Sequence, residues 1–318
     1  MKDKVVIGID TSNYTTSVAI LSLDGKLLAN IKRPLVVKEG ERGLRQSDAV
    51  FAHVKNLPSA MQEASVILAD YTPVAIGVST KPRNIDGSYM PCFLSGVAAA
   101  ESISAAANIP LYGFSHQCGH IMAAIYSANR FDLLNREFCA FHVSGGTTEV
   151  LRVNASENGF SADLIGGTAD LNAGQVIDRI GVYMGLNFPC GPELERLALQ
   201  NKDKIPTRKQ SVNGMQINLS GLENMAVKLY NESQKPELVA AFLFDYVSKA
   251  LGSLAQSYTE KYGQTPFVFA GGVMCNTIIK KYLKERFDAS FAEPKMSADN
   301  AVGIAVLAAR RYKSENLK

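Results

Sequence analysis

The chain has 318 residues, 47% of them hydrophobic and 20% charged, which is enough for two well-buried domains. The formal net charge of +3 is near balance, so composition neither requires nor excludes a nucleic-acid partner. The five cysteines form no close pairs, no secretory leader is recognised, and Ser, Gly or charged residues interrupt the longest apolar runs. We therefore expect a cytoplasmic protein with free thiols and no membrane span.

The N-terminal segment predicts a β-hairpin. An apolar strand ends at Asp10, a Ser/Thr/Asn turn follows, and a second alternating strand runs over residues 16–23 to a turn at Asp24-Gly25. The same pattern returns at "CAFHVSGGTTEVLRVNASENG", where a strand reaches Ser144-Gly145-Gly146. The repetition indicates either two similar halves or two unrelated hairpins.

Helical patterns separate and follow the two hairpins. They cover residues 47–68, 93–107, 115–127, about 169–186, about 236–262 and a C-terminal stretch beginning near 297. Ser115 is the predicted cap of the third helix. The polar, basic stretch 201–214 predicts an exposed loop or irregular hairpin. Because strands alternate with helices, the predicted class is α/β.

Two glycine turns directly after strands present backbone N–H groups that suit a phosphate. They are Ser144-Gly145-Gly146 and Gly271-Gly272, and we expect the second to open onto a helix N-terminus. Asp10, next to Thr11 and Ser12, suits a Mg²⁺–phosphate site, although an Asx-turn explains it equally well. Any one of these turns is more often only a tight turn; together they favour a nucleotide cleft.

The stretch "HQCGH" holds two of the four histidines. Spacing of i,i+4 places His116 and His120 on one helical face, which suits either a metal chelate or a partly buried histidine pair without metal. A zinc protease of the HExxH type is excluded, since Gln117 stands where that motif needs a carboxylate to deprotonate water.

A metal held by two histidines requires further ligands. Asp299 is the candidate third ligand if the fold returns the C-terminal region to the first half. His142 is expected in the core, His53 on a helix surface, and Cys118 on a different face of the histidine helix.

Seven motifs in one order resemble a known family over nearly the whole chain. They are "GIDTSNYTTSVAI", HxxxH, "VSGGTTEV", "DLNAGQVIDRIGVYMGLNFPCGP", "LSGLENMAVKL", "AGGVMCN" and "SADNAVGIA". This series resembles the universal tRNA threonylcarbamoyladenosine transferase family. The resemblance implies the actin/Hsp70/sugar-kinase (ASKHA) fold, with two duplicated α/β lobes around a nucleotide cleft. We expect an N-terminal lobe over 1–134 carrying the HxxxH helix, and a C-terminal lobe over 135–318 whose closing helix packs back on the first lobe.

The resemblance also implies the site residues. The implied metal ligands are His116, His120 and Asp299. The implied substrate and nucleotide residues are Val143, Ser144, Gly145, Gly146, Thr147, Thr148, Asp178, Gly191, Glu195 and Asn276, which join Asp10, Gly271 and Gly272 from the glycine turns. The implied ligands are one divalent metal, iron or zinc, and adenine nucleotide or threonylcarbamoyl-AMP.

The implied reaction moves a threonylcarbamoyl group from threonylcarbamoyl-AMP to N6 of adenosine 37 in tRNA. The family resemblance further implies a heteromer with a smaller paralogue and an ATPase. For tRNA contact, the chain offers Lys202, Lys204, Arg208 and Lys209 in the basic loop, with Lys81 and Arg83 elsewhere; the alternative is a solvated charged loop.

The chain departs from the family pattern at several positions. Asp10 replaces Glu, Cys118 replaces the Glu of HxEGH, Thr147 replaces His, Cys190 replaces Gly, Glu195 replaces Asp, and residues 79–96 replace the shorter TRGPGL loop. These departures predict a divergent member or paralogue. The alternative is a catalytically weak nucleotide-binding member that acts as a scaffold or regulator, or on a different acceptor. A sugar kinase is disfavoured because its chemistry does not need HxxxH.

Overall fold

The computed structural model describes residues 2–12, 14–36, 44–156, 159–297, 299 and 301–316. The chain divides into two compact units by its internal contacts. One comprises residues 1–129, 155–161 and 298–318, and the other comprises residues 130–154 and 162–297.

The first unit is built on a five-stranded sheet. Its elements are β1 (Lys4–Ser12), β2 (Thr15–Ser22), β3 (Leu27–Pro34), α1 (Gln46–Leu68), β4 (Thr72–Lys81), α2 (Phe93–Ala107), β5 (Leu111–Ser115), α3 (His116–Ser127) and the C-terminal helix (Val302–Asn316). The strand order is β3-β2-β1-β4-β5. The first three strands are antiparallel neighbours, whereas β4 is parallel to β1 and β5 is parallel to β4.

The two faces of this sheet pack against different helices, because side chains alternate between faces along each strand. Val5, Ile7 and Ile9 of β1 form a buried cluster with residues of α1 and α2. Gly8 faces the other way: a Cβ there would lie 2.6 Å from the carbonyl oxygen of Ala301. The C-terminal helix therefore lies close against the second face.

Glycine also sets the distance between α3 and the C-terminal helix. A Cβ on Gly303 would overlap the backbone carbonyl of Gly119 and would lie 2.8 Å from the amide nitrogen of Ala123. The two backbones are thus in direct contact. This contact matters for the site, because α3 carries the histidines and Asp299 lies three positions before the C-terminal helix.

The second unit is built on a seven-stranded sheet with the order β12-β11-β6-β7-β8-β10-β9. The remaining elements are β6 (Phe138–Val143), β7 (Thr148–Ser156), β8 (Gly159–Thr168), α4 (Ala173–Tyr183), α5 (Gly191–Gln200), β9 (Ser211–Asn213), β10 (Gln216–Asn218), α6 (Ser220–Ser233), α7 (Pro236–Tyr262), β11 (Phe267–Ala270), α8 (Thr277–Lys284), β12 (Ala289–Phe291) and α9 (Pro294–Ser297). Its core joins the buried face of α7 to aromatic side chains of the sheet, including Phe141, Phe267 and Phe269.

Four of the six predicted helices are confirmed within one residue. The C-terminal helix begins at Val302 rather than near residue 297, and α4 is also shorter than expected. It begins at Ala173 rather than near residue 169, because Asn172 forms a capping box with Gln175. Asp170 belongs to the preceding loop. There its carboxylate accepts hydrogen bonds from the amides of Leu171, Leu219 and Ser220.

The expectation that Gly271-Gly272 opens onto a helix N-terminus is corrected. The pair leads into a short 3₁₀ turn, Gly272–Cys275, and α8 begins only at Thr277. The side chain of Asn276 caps α8 by accepting a hydrogen bond from the amide of Ile279 at 3.0 Å.

The expectation that no apolar run could span a bilayer also needs correction. Among the described residues, one helix, α7, is long and apolar enough to cross a membrane by length and composition alone. Of its most apolar window, 78% is buried inside the structure. Such burial is typical of the core helix of a globular unit.

Candidate metal centre

The histidine pair owes its position to the junction between β5 and α3. Ser115 ends the strand with extended backbone angles, and its hydroxyl accepts a hydrogen bond from the amide of Cys118 at 3.2 Å. This confirms the predicted cap and makes His116 the first helical residue. His120 follows one turn later on the same face.

Three side chains of the first unit converge at this point. The Nε2 atoms of His116 and His120 lie 2.9 Å apart, and Asp299 Oδ1 lies 3.2 Å from Nε2 of His120 and 3.6 Å from Nε2 of His116. These three residues form the group of candidate ligands whose donor atoms all lie within 4.8 Å of one another. The condition placed on Asp299, that the fold return it to the histidines, is met.

The donor set fits a transition-metal dication. Two donors each about 2.1 Å from a metal stand about 3.0 to 3.5 Å apart in octahedral or tetrahedral arrangements, close to the spacings observed here. Two imidazoles and one carboxylate suit zinc or ferrous iron better than Mg²⁺ or Ca²⁺. Side chains of His116 and Asp299 are 20% and 24% exposed, so a ligand can reach the cluster from solvent.

Asp10 lies behind the cluster. Its Oδ1 is 3.0 Å from Nδ1 of His116, and its Oδ2 accepts a hydrogen bond from the hydroxyl of Ser12 at 2.8 Å. The side chain of Asp10 is only 1% exposed. This geometry lets Asp10 orient His116 so that Nε2 points toward His120 and Asp299.

The charges in this cluster shift one another's protonation. Burial acts to raise the pKa of Asp10, but His116 outweighs burial and lowers it. Burial acts to lower the pKa of His116, yet the carboxylates of Asp10 and Asp299 raise the pKa to about 10. Despite its own burial, Asp299 has a pKa well below its ordinary value because both histidines hydrogen-bond to it. A bound dication would take the place of the imidazolium proton.

Cys118, His53 and His142 are not part of this cluster. Cys118 is buried, and its Sγ donates to the carbonyl of Phe160 at 3.4 Å, so it lies on a different face of α3 as predicted. His53 was expected on a helix surface, but this is wrong. It is fully buried on α1, with Nδ1 2.8 Å from the hydroxyl of Thr16. His142, expected in the core, is half-buried on β6.

The two predicted glycine turns lie at one edge of the second unit's sheet. They follow β6 and β11, which are parallel neighbours, with Ala270 opposite His142. Gly271 has φ +101°, and a Cβ there would overlap the carbonyl oxygen of Val143. The carboxyl ends of parallel strands are the usual location of ligands in open α/β sheets.

Within the first glycine turn, the predicted residues have different surroundings. Ser144, Gly145, Gly146 and Thr147 are at least partly exposed, whereas Val143 and Thr148 are buried. The hydroxyl of Thr148 accepts a hydrogen bond from the amide of Ala173 at 2.9 Å and so supports the start of α4. The side chains of Val143 and Thr148 are thus structural rather than ligand-facing.

The four remaining predicted nucleotide residues lie on α4, on α5 and at the N-terminal cap of α8 in the second unit. Asp178 Oδ1 accepts from the amide of Cys190 at 2.8 Å, directly before Gly191. Glu195 Oε1 accepts from the amide of Thr277 at 2.7 Å, directly after Asn276. Burial raises the pKa of the Asp178 carboxyl. The Asp178 and Glu195 carboxylates therefore already have structural partners and keep at most part of their polar surface for a ligand.

The predicted basic residues are distributed over both units. Lys202, Lys204, Arg208 and Lys209 are exposed on an irregular segment between α5 and β9, and among the described residues no ion pair involves them. Lys81 and Arg83 are partly buried at the end of β4 and in the following loop. The segment's exposure agrees with the expected loop.

The family assignment rests on a match over most of the chain. A profile of the family described as tRNA N6-adenosine threonylcarbamoyltransferase, TsaD, matches residues 35–306. The chain belongs to the TsaD family. A relative from Streptococcus suis (strain 05ZYH33), named tRNA N6-adenosine threonylcarbamoyltransferase, is 30% identical over 335 residues and covers 100% of this chain and 95% of its own.

Solved structures of other proteins share the fold of this TsaD family member. The activator of the 2-hydroxyisocaproyl-CoA dehydratase from Clostridium difficile, with bound ADPNP, superposes with a TM-score of 0.54 at 14% identity, covering 99% of this chain and 98% of its own. A ROK family glucokinase from Streptomyces griseus, in complex with glucose and AMPPNP, gives 0.53 at 13% identity, covering 96% and 99%. These likenesses confirm the predicted ASKHA-type fold.

The segment 79–96, which the family resemblance predicts to differ from the TsaD loop, has contacts beside the cluster. The carbonyl of Pro82 accepts a hydrogen bond from the amide of Gln117 at 3.0 Å. At the other end, the ring of Phe93 lies 6.0 Å from the ring of His116. The loop between these residues, 83–92, is thus anchored at the N-terminus of α3.

Proposed function

We propose that this protein transfers a threonylcarbamoyl group from an adenylate donor to N6 of adenosine 37 in tRNA, with a divalent metal held by His116, His120 and Asp299. The observation that carries the proposal is the convergence of these three donors within 4.8 Å in a member of the TsaD family. Such a metal, iron or zinc, would polarise the carbamoyl-bearing substrate as a Lewis acid.

The protein's own residues prepare the site for this chemistry. The carboxylate of Asp10 holds His116 Nδ1–H, which keeps Nε2 available as a donor. In the reaction, the exocyclic amine of adenosine attacks the carbamoyl carbon, and the bond from that carbon to the phosphate oxygen of the adenylate breaks. AMP leaves with that oxygen, and the proton lost by the amine passes to solvent.

The nucleotide part of the donor is assigned to the second unit. The glycine turns at residues 144–147 and 271–272, in which Gly271 is buried and Gly272 is exposed, would supply backbone N–H groups for phosphate. Asp178, Gly191, Glu195 and Asn276 are proposed as further nucleotide contacts. The exposed basic residues Lys202, Lys204, Arg208 and Lys209, with Lys81 and Arg83, are proposed to contact tRNA. Free thiols at all five cysteines support a cytoplasmic location. A heteromer with a smaller paralogue and an ATPase belongs to the same proposal.

Metal analysis combined with a transfer assay tests this function. Purified protein should contain about one equivalent of iron or zinc per chain and should modify tRNA that carries adenosine at position 37. His116→Ala and Asp299→Ala should lose both metal and transfer, whereas His142→Ala, a histidine outside the cluster, should retain both.

Two other outcomes would contradict the proposal in different ways. Folded protein that binds adenine nucleotide but neither metal nor donor would indicate the scaffold alternative. The other outcome is metal-loaded protein that binds the donor but leaves tRNA unmodified, and whose gene does not rescue cells that lack their own tRNA threonylcarbamoyltransferase. That outcome would indicate a different acceptor.

A further inference from the structure

A polar row crosses the first unit's sheet beside the candidate metal centre. Asp10 of β1 pairs with Ser17 of β2, and Ser17 pairs with Lys32 of β3. Directly opposed residues in antiparallel strands place their side chains on the same face. Lys32 therefore shares the face of the sheet on which Asp10 contacts His116.

The neighbouring rows differ in chemistry. Ile9, Val18 and Ile31 form the adjacent row and belong to a buried apolar cluster on the opposite face. Lys32 lies two residues before the end of β3, as Asp10 lies two residues before the end of β1. Both strands run antiparallel to β2, so the two residues lie at the same edge of the sheet.

Lys32 interacts electrostatically with the cluster itself. Burial of the ammonium group lowers the pKa of Lys32, while the charge of Asp299 acts in the opposite direction. A partly desolvated lysine is costly unless something nearby stabilises its charge.

The charges of the loaded cluster indicate what the ammonium of Lys32 would bind. Two neutral imidazoles with the carboxylates of Asp10 and Asp299 carry −2, which a dication balances. The neutral cluster then no longer requires Lys32 as a counter-charge. An ammonium beside a neutral, Lewis-acidic centre favours an anionic oxygen on the ligand.

We propose that Lys32 binds an anionic oxygen group, a carboxylate or a phosphate, of the substrate held at His116, His120 and Asp299, and so determines which acyl donors the site accepts. This inference rests on the proposed function. Both groups occur in a threonylcarbamoyl adenylate, so the test must distinguish them.

Calorimetric titration of metal-loaded protein with three probes makes that distinction. The probes are AMP, a sulfamate analogue of threonylcarbamoyl-AMP, and the same analogue with the threonine carboxylate converted to a primary amide. The variants are Lys32→Met and Lys32→Arg, with Lys26→Met as control, since Lys26 is an exposed lysine in the adjoining turn. Metal content is measured for every variant and should not change.

Loss of a charge-assisted hydrogen bond should weaken binding by about 10-fold to 100-fold in Lys32→Met. Weakening confined to the acid analogue identifies the carboxylate as the partner. Weakening of all three probes, AMP included, identifies the phosphate. Lys32→Arg should recover most of the affinity, and Lys26→Met should match wild type.

Unchanged affinity of Lys32→Met for every probe that wild type binds would overturn this inference and leave the proposed function intact. Absence of binding of all three probes by metal-loaded wild type would overturn the proposed function and this inference with it.

Discussion

Nδ1 of His116 lies 3.0 Å from Oδ1 of Asp10, although the two residues are 106 positions apart in the chain. A carboxylate in this position fixes which imidazole nitrogen carries hydrogen and which one is free to bind a metal. The relationship links the first strand of the chain to the candidate metal centre.

Replacing Asp10 should weaken metal binding. Asp10→Ala leaves Nδ1 of His116 without its acceptor, so we expect metal affinity to fall by about 10-fold to 100-fold. Competition titration with a chromophoric chelator measures the affinity. Asp24→Ala, at an exposed turn of the same sheet, is the control and should bind metal like wild type. Equal affinities of Asp10→Ala and wild type would contradict the supporting role.

Adding a single methyl group between α3 and the C-terminal helix should disturb both stability and metal binding. The Cβ of Gly303→Ala would overlap the backbone of Gly119, so the helices must separate, at a cost of about 3 kcal/mol in the free energy of unfolding. The separation should also move Asp299 away from the histidines and reduce metal affinity.

The matched control is Gly221→Ala on α6, where no heavy atom lies within 4 Å of the added Cβ. It should be unchanged or more stable by up to about 1 kcal/mol. Urea unfolding measures both variants. Equal stability of Gly303→Ala and wild type would show that the two helices tolerate greater separation.

Asp170 should make the second unit's stability depend on pH at the acid end. Burial acts to raise its pKa, but hydrogen bonds from Ser220, Leu219 and Leu171 lower the pKa from 3.8 to about 2. Because the pKa of Asp170 is lower in the folded protein than in the unfolded chain, its carboxylate stabilises the fold at pH values above its ordinary pKa. This contribution is lost as the pH falls toward about 2.

Asp170→Asn should therefore be less stable than wild type by about 1–3 kcal/mol near neutral pH. The difference should narrow as pH falls below about 4. Thermal unfolding of Asp170→Asn and of wild type between about pH 7 and about pH 3 measures this difference in stability. A constant difference across the range would assign the effect to shape rather than charge.

The basic segment between α5 and β9 should govern tRNA retention. Replacing Lys202, Lys204, Arg208 and Lys209 by Ala removes four exposed charges and should weaken tRNA binding at moderate salt by at least about 10-fold. Filter binding at two salt concentrations measures both the loss and the smaller salt slope. Lys228 and Glu232 are exposed on α6 and pair with each other. Replacing both should change neither the tRNA affinity nor its dependence on salt. Unchanged retention in the four-residue variant would leave the segment as a solvated loop.

The helices of the histidine region followed from local signals. A Ser before an apolar-periodic run predicts a cap, and Ser115 has that role. By contrast, the sequence pattern places the start of α4 too early, because it includes residues 170–172 in the helix. In the structure, Asp170 accepts hydrogen bonds from backbone amides of the loop, and Asn172 forms the capping box at which the helix begins.

The position of Lys32 shows that strand register cannot be predicted from the sequence alone. Counting pairs outward from the Asp24-Gly25 turn, where Leu21 is opposite Leu27, would place Ile31 rather than Lys32 opposite Ser17. A register shift between Ile20 and Leu21 moves the pairing by one residue, so that Lys32 joins the face that carries Asp10. A shift of one residue reverses which face every side chain occupies.

The amino-acid sequence by itself determined the α/β class, the family resemblance and the i,i+4 placement of His116 and His120, because these depend on short-range periodicity and on motif order. Only the tertiary structure decided that Asp299, 179 positions beyond His120, meets both imidazoles and that Asp10 supports one of them. Such contacts depend on how closely glycine backbones allow the C-terminal helix, α3 and β1 to approach, and no local pattern encodes that distance.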